Sequence, residues 1–382
     1  MPVSKIGNLV YSLGLSVLPK KGLASSYSGR ALSEDAKTRL TQAMISQRIV
    51  GAQIALILEG QVEGVYACGV KRKPDIPVTD DTIFRTASLA KVPAALCVLR
   101  LCERGLTGLD DDVSDYLGYK LRNPAFPDSK ITLRQLLSHS SSLCDAEGYS
   151  KGLSGSVSLR EAAQMPESYT ESAPDTAFCY SNLGYAVVSE IIASVCQKEY
   201  TSVIQSEIFN TLGMEASYNA GALDSSRLSA IYRIFPPSRS ASFDPIGRKM
   251  PTGERAKFSL APGNIYTTAA DFAKLAEALM QSDEKLFSRE SYEEMLKPRM
   301  DYAKDAAFGL GIFSLKRAGR QLYGHQGVAY GAVNGMFFDK DAKAGFVIMD
   351  NGADERRHGR MTRLCESAID AVFGVMEDSG WI

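Results

Sequence analysis

The sequence predicts an α/β (α+β) fold, in which helices flank an antiparallel sheet built from both termini and a helical lobe is inserted into that sheet. Two observations support this prediction. Short apolar runs typical of strands cluster near both ends of the chain, whereas apolar residues at helical spacing fill its middle. A length of 382 residues is enough for one large domain or two intertwined domains.

The expected division of the chain follows from the same patterns. We expect an N-terminal extension, one folded domain and a short C-terminal tail, which cover residues 1–30, 31–375 and 376–382. Within the domain, the sheet lobe covers about 31–85 and 300–375, and the helical lobe covers about 86–299.

Each element is predicted from apolar spacing, with support from turn and capping residues. Helical patterns cover 33–47, 91–103, 133–139, 183–197, 201–212, 269–280 and 360–376. Strand patterns cover 51–58, 62–70, 308–315, 332–338 and 345–349. The pair Glu59-Gly60 marks a hairpin, and Thr268 with Asp271 forms a capping box. The polar segment 219–259 shows neither pattern, so we expect an irregular rim there.

Composition and charge argue against several function classes. Hydrophobic residues make up 45% of the chain and charged residues 23%, as in ordinary globular proteins. A formal net charge of −1 gives no electrostatic basis for binding nucleic acid. No apolar run is long enough to span a bilayer. The three histidines include no His-Glu-x-x-His arrangement, and we expect neither a metal nor another cofactor.

The cysteines suggest a compartment. There are seven, an odd number, several lie in apolar runs, and none forms a Cys-x-x-Cys pair. Free thiols in a reducing environment fit this pattern, so we expect a cytoplasmic protein. The mildly apolar segment 6–18 leaves export by a weak N-terminal signal open, although Lys20 and Lys21 stand where a cleavage site would lie.

Ser88-Leu89-Ala90-Lys91, at the start of an apolar helical run, is the most informative stretch. Residues three apart share a helix face, so Lys91 could take the Ser88 proton if burial keeps its amine uncharged. Alone, the spacing is more typical of a capping serine followed by a solvated lysine. A second copy, Ser282 to Lys285, lies in a charged stretch with no apolar run after it. We interpret that copy as a helix end at the surface.

Two further motifs follow in order along the chain: Tyr180-Ser181-Asn182 and His325-Gln326-Gly327. With Ser88-x-x-Lys91 and the stretch LLSHSSSL at 136–143, they resemble the motifs of the serine β-lactamase and penicillin-binding-protein family. The resemblance extends over about 33–375 and is greatest to class C β-lactamases, DD-peptidases, D-aminopeptidases and family VIII esterases. It implies an α/β sandwich with an all-helical lobe and a site between them.

The resemblance also implies roles for the first two motifs. Ser88 would be the acylated nucleophile, and Lys91 and Tyr180 would share the role of base. A tyrosine phenol has an ordinary pKa near 10, so it would need the positive field of Lys91 to act as a base. Asn182 would bind the acyl amide of the substrate and help to orient Lys91.

The third motif would bind substrate. His325 stands where class C β-lactamases carry a lysine, and the alternative is a strand residue with one local hydrogen bond. With an ordinary pKa near 6.5, His325 would favour carboxylate-bearing substrates below about pH 7. Gly327 would let a substrate carbonyl approach the strand closely. The backbone N–H groups of Ser88 and Val328 would form the oxyanion hole.

Two positions depart from the family pattern. Ser142 and Asp175 stand where the family usually has glycine, and either change could alter a local turn. We expect His139, in the LLSHSSSL stretch, to be structural. His358 has no motif around it.

Other interpretations stay open. Residues 148–152 match Gly-x-Ser-x-Gly around Ser150, but a nucleophile elbow needs a buried strand before it, and 140–147 is polar. The same fold could serve as a β-lactamase proper, an acyltransferase or a penicillin-binding sensor without catalysis. The expected partner is a small molecule or short peptide. The sequence leaves open the acyl donor (ester, amide, D-peptide or β-lactam) and the oligomeric state.

Overall fold

The structure is a computed structural model. It describes residues 22–30, 32–234, 237–239, 244–281 and 286–382. The apolar segment 6–18 and the second Ser-x-x-Lys copy, Ser282 to Lys285, lie outside the described residues. Within the described part, no helix is both long and apolar enough to cross a membrane.

The elements are numbered in chain order. The strands are β1 Ser25–Gly29, β2 Gly51–Leu58, β3 Gln61–Arg72, β4 Ile76–Pro77, β5 Phe84–Arg85, β6 Ala216–Ser217, β7 Tyr232–Ile234, β8 Pro237–Arg239, β9 Tyr266–Thr267, β10 Met300–Ala303, β11 Ala306–Phe308, β12 Phe313–Arg317, β13 Arg320–Ala329, β14 Ala332–Asp339, β15 Ala344–Asp350, β16 Arg357–His358 and β17 Met361–Thr362. The helices are α1 Glu34–Ser46, α2 Lys91–Glu103, α3 Ser114–Leu117, α4 Leu133–Leu137, α5 Glu147–Ser154, α6 Leu159–Gln164, α7 Asn182–Cys196, α8 Tyr200–Ile204, α9 Glu254–Gly263, α10 Ala269–Gln281, α11 Arg289–Leu296 and α12 Arg363–Asp378.

The main sheet combines strands from both ends of the chain, which confirms the predicted fold class. Its order is β1-β3-β2-β15-β14-β13-β12-β11-β10, with antiparallel pairing throughout, and β4 also pairs with β3. The two ends meet where β2 pairs with β15, with Ile57 opposite Gly345 and Ala52 opposite Asp350. The sequence between these strands supplies the inserted helices.

Helices cover both faces of this sheet. Ile54 and Leu56 of β2 belong to a core that includes residues of α1 and α12, which pack against each other. Ala55 and Ile57 belong to a second core, formed with α2, α7 and α10. This alternation is the period of two that a strand imposes on its side chains.

The predicted strand over 308–315 is wrong as a single element. The chain forms β11 and β12 instead, joined by a turn in which Gly311 has a φ of 72°. A Cβ at Gly311 would lie 2.4 Å from Cβ of Ala95, so this turn packs directly on α2. Buried apolar residues stand on both sides of the turn, at Phe308, Ile312 and Phe313, and the sequence pattern therefore looked continuous across it.

Other boundaries also differ. The predicted helix 201–212 ends at Ile204 as an α-helix and continues as a π-helix over Gln205–Phe209. Helix α9 begins within the predicted rim, β1 falls within the predicted N-terminal extension, and α12 runs into the predicted tail. Strand β13 was not among the strand patterns because Gly324 and Gly327 interrupt its apolar residues.

Candidate active site

Ser88 lies in a tight turn that leads into helix α2. Strand β5 is followed by the 3-10 turn Ala87–Ala90, in which side chains three apart lie one above the other. Ala87 has a φ of 49°, a left-handed conformation that costs about 1–3 kcal/mol for a residue with a side chain. Ser88 remains partly exposed, whereas Lys91 is fully buried. The turn therefore presents a hydroxyl above a buried amine.

Three oxygen atoms surround the Lys91 amine. Its Nζ lies 3.3 Å from Oγ of Ser88, and it donates to Oδ1 of Asn182 at 2.7 Å and to the carbonyl of Pro262 at 2.8 Å. An ammonium group has three donors, so these contacts match its capacity. Sequence analysis gave no role to Pro262, whose carbonyl reaches the site from the last turn of α9.

The electrostatic environment of Lys91 favours loss of its proton. Burial lowers the pKa of Lys91 to about 7, the nearby charge of Asp145 partly raises it, and Arg85 lowers it further. A substantial fraction of the amine is therefore neutral at neutral pH and can accept a proton.

Tyr180 lies beside Lys91 but differs from it electrostatically. The Lys91 Nζ is 4.9 Å from the centroid of the Tyr180 ring, and the ring of His139 packs against the same tyrosine at 4.2 Å. Burial raises the pKa of the Tyr180 phenol well above 10, and a hydrogen bond with Ser88 lowers it only in part. The geometry therefore favours a phenol that keeps its proton at neutral pH, in contrast to the base expected from the sequence.

His325 also departs from its sequence-based expectation. It is only 1% exposed, and its ring centroid lies 5.8 Å from that of Phe308 and 6.2 Å from that of Phe313. Among the described residues, neither ring nitrogen has a partner at hydrogen-bond geometry. Burial and then Lys91 lower the pKa of His325 to about 3, with a small opposing effect from the backbone of Gln326. The structure thus contradicts the expected titration of His325 near neutral pH.

Gly327 brings strand β13 against the Ser88 turn. A Cβ at this position would lie 2.6 Å from the carbonyl oxygen of Thr86 and 3.0 Å from the backbone nitrogen of Ser88. The close approach that requires glycine is thus between two parts of the protein backbone. The adjacent Val328 is partly exposed. The two segments that carry the predicted oxyanion-hole N–H groups, at Ser88 and Val328, therefore lie next to each other.

Sequence analysis missed Asp145, which contacts the start of helix α7. Its carboxylate accepts hydrogen bonds from the backbone N–H of Asn182 at 2.7 Å, from Nδ2 of Asn182 at 2.6 Å and from the N–H of Leu183 at 3.0 Å. The signal available in the sequence was its place just after the LLSHSSSL stretch. An acidic residue there has no chemical meaning until the fold brings it to Asn182.

A comparison with protein families identifies the family of this chain. The family described as Beta-lactamase matches residues 36–366, which is most of the chain. The chain belongs to the β-lactamase family. This confirms the resemblance inferred from the motifs, which is to a family of serine hydrolases, and the curated relatives include an esterase and a peptidase.

Several curated proteins resemble this β-lactamase-family chain. It is 27% identical over 247 residues to esterase EstB of Burkholderia gladioli, a match to 60% of this chain and 62% of the esterase. It is 24% identical over 213 residues to the D-alanyl-D-alanine-carboxypeptidase/endopeptidase AmpH of Escherichia coli, covering 53% and 50%. Penicillin-binding protein 4 of Amycolatopsis lactamdurans is 25% identical over 170 residues, 44% of each chain. The chain thus spans about half the length of these relatives.

Solved structures confirm the β-lactamase fold. The octameric penicillin-binding protein homologue from Pyrococcus abyssi has a TM-score of 0.74 at 22% identity, covering 91% of this chain and 77% of that one. D-amino acid amidase from Ochrobactrum anthropi SV3 has a TM-score of 0.71 at 23% identity, covering 91% and 100%.

The structure explains the two departures from the β-lactamase-family pattern. Ser142 has a φ of 65° and Asp175 a φ of 69°, both in the left-handed region where glycine is favoured. Each side chain makes a hydrogen bond there. Oγ of Ser142 accepts from Asn123 at 3.1 Å, and the carboxylate of Asp175 accepts from Ser140 at 3.2 Å. Both positions therefore have a backbone conformation that favours glycine, although neither residue is a glycine.

Among the remaining candidates, His139 packs against Tyr180 of this site, whereas Ser150 and His358 are exposed. Ser150 is an exposed residue within helix α5, so the strand that a nucleophile elbow needs is not present before it. His139 is buried, and its Nδ1 accepts a hydrogen bond from the backbone N–H of Ser181 at 3.1 Å. His358 is exposed on β16.

Proposed function

We propose that this protein is a serine hydrolase that forms an acyl-enzyme on Ser88. The observation that carries the proposal is a fully buried Lys91 whose amine lies 3.3 Å from the Ser88 hydroxyl and has a pKa lowered to about 7. A neutral amine at this distance can activate a serine without a histidine. A binding module without catalysis has no need to bury a lysine beside a partly exposed serine.

The reaction begins with attack of the Ser88 oxygen on the acyl carbon of the substrate. Lys91 accepts the hydroxyl proton as the new C–O bond forms. The protonated Lys91 is stabilised by Asn182 and the Pro262 carbonyl. Tyr180, which keeps its own proton and lies beside both groups, passes a proton to the leaving oxygen or nitrogen and is re-protonated from Lys91. Water then cleaves the acyl-enzyme by the reverse path.

The developing negative charge on the acyl oxygen needs donors in place before the reaction. The backbone N–H groups of Ser88 and Val328 supply them, since glycine at 327 lets β13 approach the Ser88 turn. Strain at Ala87, which has a φ of 49°, is consistent with a turn that holds Ser88 in a fixed direction.

The proposed acyl donors are esters, amides and D-amino-acid peptides. Relatives and structural neighbours of this chain are named as an esterase, a D-alanyl-D-alanine-carboxypeptidase and a D-amino acid amidase. These bonds share one mechanism, because each passes through an acyl-enzyme with an oxyanion. The neutral His325 supports uncharged acyl donors over those that need a cation at this position.

The test compares two serines. Ser88→Ala should lower the hydrolysis of p-nitrophenyl butyrate by about 10³-fold or more, because it removes the covalent route. Ser150→Ala, an exposed serine on α5, serves as the matched control and should be active. Intact-mass analysis with a fluorophosphonate should show one adduct that Ser88→Ala abolishes.

Clear outcomes would contradict the proposal. Near-wild-type turnover by Ser88→Ala excludes the mechanism, and a folded wild-type protein that never forms an adduct is a binding module. Benzylpenicillin should give a persistent Ser88 adduct, whereas rapid turnover without one would identify a β-lactamase proper. Ester product formed on an added alcohol would identify acyl transfer.

A further inference from the structure

Asp145 fixes the orientation of the Asn182 side chain. One carboxylate oxygen accepts from Nδ2 of Asn182 at 2.6 Å, so the amide oxygen must point the other way. That oxygen accepts from Nζ of Lys91 at 2.7 Å. Without a fixed acceptor on the nitrogen side, the amide could turn and present its NH₂ group to the lysine. The carboxylate therefore decides which end of Asn182 the amine meets.

Asp145 is also held in place by the backbone. It accepts from the N–H groups of Asn182 and Leu183, the first residues of α7, where the helix dipole favours a negative charge. Tyr180 lies two residues before this point. The same carboxylate thus holds the start of α7, which follows Tyr180 along the chain, and the Asn182 side chain that contacts the Lys91 amine.

Asp145 is the nearby acidic group that acts on Lys91. Its charge raises the proton affinity of the lysine, against burial and the charge of Arg85. Other ionisable groups around this amine are Ser88, Tyr180, Tyr185, His139 and His325. Both histidines have lowered pKa values and both tyrosines raised ones, so these side chains are neutral at pH 7. Asp145 and Arg85 therefore set the field at Lys91.

We propose that Asp145 is a positioning residue for the reaction of Ser88: it holds the amide oxygen of Asn182 on the Lys91 amine and places a negative charge behind that amide. The expected effect of Asp145 on catalysis rests on the proposed function of Ser88. Its effect on Lys91 itself can be measured without catalysis.

The test is the variant Asp145→Asn, with kcat/KM for p-nitrophenyl butyrate measured between pH 5 and 9. This substrate has no charged group, so an ion pair between Asp145 and the substrate does not contribute to the measured rate. Loss of the negative charge should move the midpoint of the acidic limb to lower pH by roughly one unit. The plateau should fall about tenfold to a hundredfold, because the Asn182 amide is no longer held in one orientation.

A matched control separates this effect from a loss of helix capping. Asp271 contacts Thr268 and Lys274 at the start of α10 and accepts from the N–H of Glu215, away from Ser88. Asp271→Asn should lower the melting temperature without moving the acidic limb. An unchanged midpoint in folded Asp145→Asn would overturn the inference.

A double variant tests the route through Asn182. In an Asn182→Ala background, Asp145→Asn should cost little further plateau rate, because the amide that it orients is gone. Rate losses that multiply in full would show that Asp145 does not act through Asn182.

A measurement on Lys91 distinguishes failure of this inference from failure of the proposed function. Protein labelled with ¹³C at lysine Cε can be titrated by NMR, with the Lys91 signal identified by its absence in Lys91→Met. Asp145→Asn should lower the midpoint of that signal even if no substrate is hydrolysed. No change would overturn the inference regardless of any activity.

Discussion

Lys91 and His325 both border Tyr180, and the fold surrounds these two buried basic side chains in opposite ways. Lys91 is fully buried but has oxygen partners from the Ser88 turn, α7 and α9. His325 is equally buried but packs among Phe308 and Phe313, with neither ring nitrogen bonded within the described residues. Burial lowers both pKa values, to about 7 for Lys91 and about 3 for His325.

The difference shows that burial alone does not decide what a basic group can do. Lys91 starts from an ordinary pKa near 10.4, so a large depression brings it to the working pH. The same effect on a histidine removes its charge from the whole neutral range. The oxygen partners of Lys91 stabilise its protonated form during the reaction. The aromatic rings around His325 offer little stabilisation to a protonated imidazole.

The largest expected effect is a loss of hydrolysis rate when the polar surroundings of Lys91 are changed. Lys91→Met should lower kcat/KM for p-nitrophenyl butyrate by about 10²–10⁴-fold, the range for a general base. Tyr180→Phe should fall in the same range, and the double variant should lose far less than the product, because both groups lie on one proton path. Independent, multiplying losses would break the proposed path through Lys91 and Tyr180.

The second expected effect is a pH dependence that belongs to Lys91 alone. The proton acceptor is the neutral amine, so kcat/KM should fall as pH drops below about 7 and approach a tenfold loss per unit. His325, with its pKa lowered to about 3, should add no titration between pH 5 and 8. A neutral ester and a carboxylate-ended D-peptide should therefore give acidic limbs with the same midpoint. A separate midpoint near 6.5 for the D-peptide alone would show that His325 is charged.

The third effect contrasts His325 with His139. His139→Phe removes the acceptor of the buried Ser181 N–H and should lower the free energy of unfolding by about 1–3 kcal/mol, measured by urea denaturation. His325→Phe removes no hydrogen bond to a ring nitrogen within the described part of the chain and should change stability much less, with activity retained. A larger loss in His325→Phe would reveal a polar role for that ring.

The smallest expected effect is on stability, at the left-handed positions Ser142 and Asp175. Ser142→Gly relieves a left-handed backbone but gives up the hydrogen bond from Asn123, so the two terms nearly cancel. We expect a change in the free energy of unfolding below about 1 kcal/mol and unaltered activity. Asp175→Gly, at the other left-handed position, should behave alike. A large loss in either would show that the side chain contributes more than its hydrogen bond.

The sequence by itself determined the parts of this protein that depend on local chain geometry. The spacing of Ser88 and Lys91 already places the amine beside the hydroxyl, since i and i+3 share one face of a helical turn. Helix starts at Ser33, Thr132 and Thr362 are capped by their own side chains, a signal confined to a few residues. The three motifs that identified the family are also local, because each consists of a few neighbouring residues.

Only the tertiary structure decided what those residues can do. Asp145 and the Pro262 carbonyl come from separate segments, and no pattern along the chain shows that the first contacts Asn182 and the second the Lys91 amine. The environment of His325 likewise depends on aromatic rings from neighbouring strands. Proton affinities depend on burial and on charges a few ångströms away, and both are properties of the packed fold.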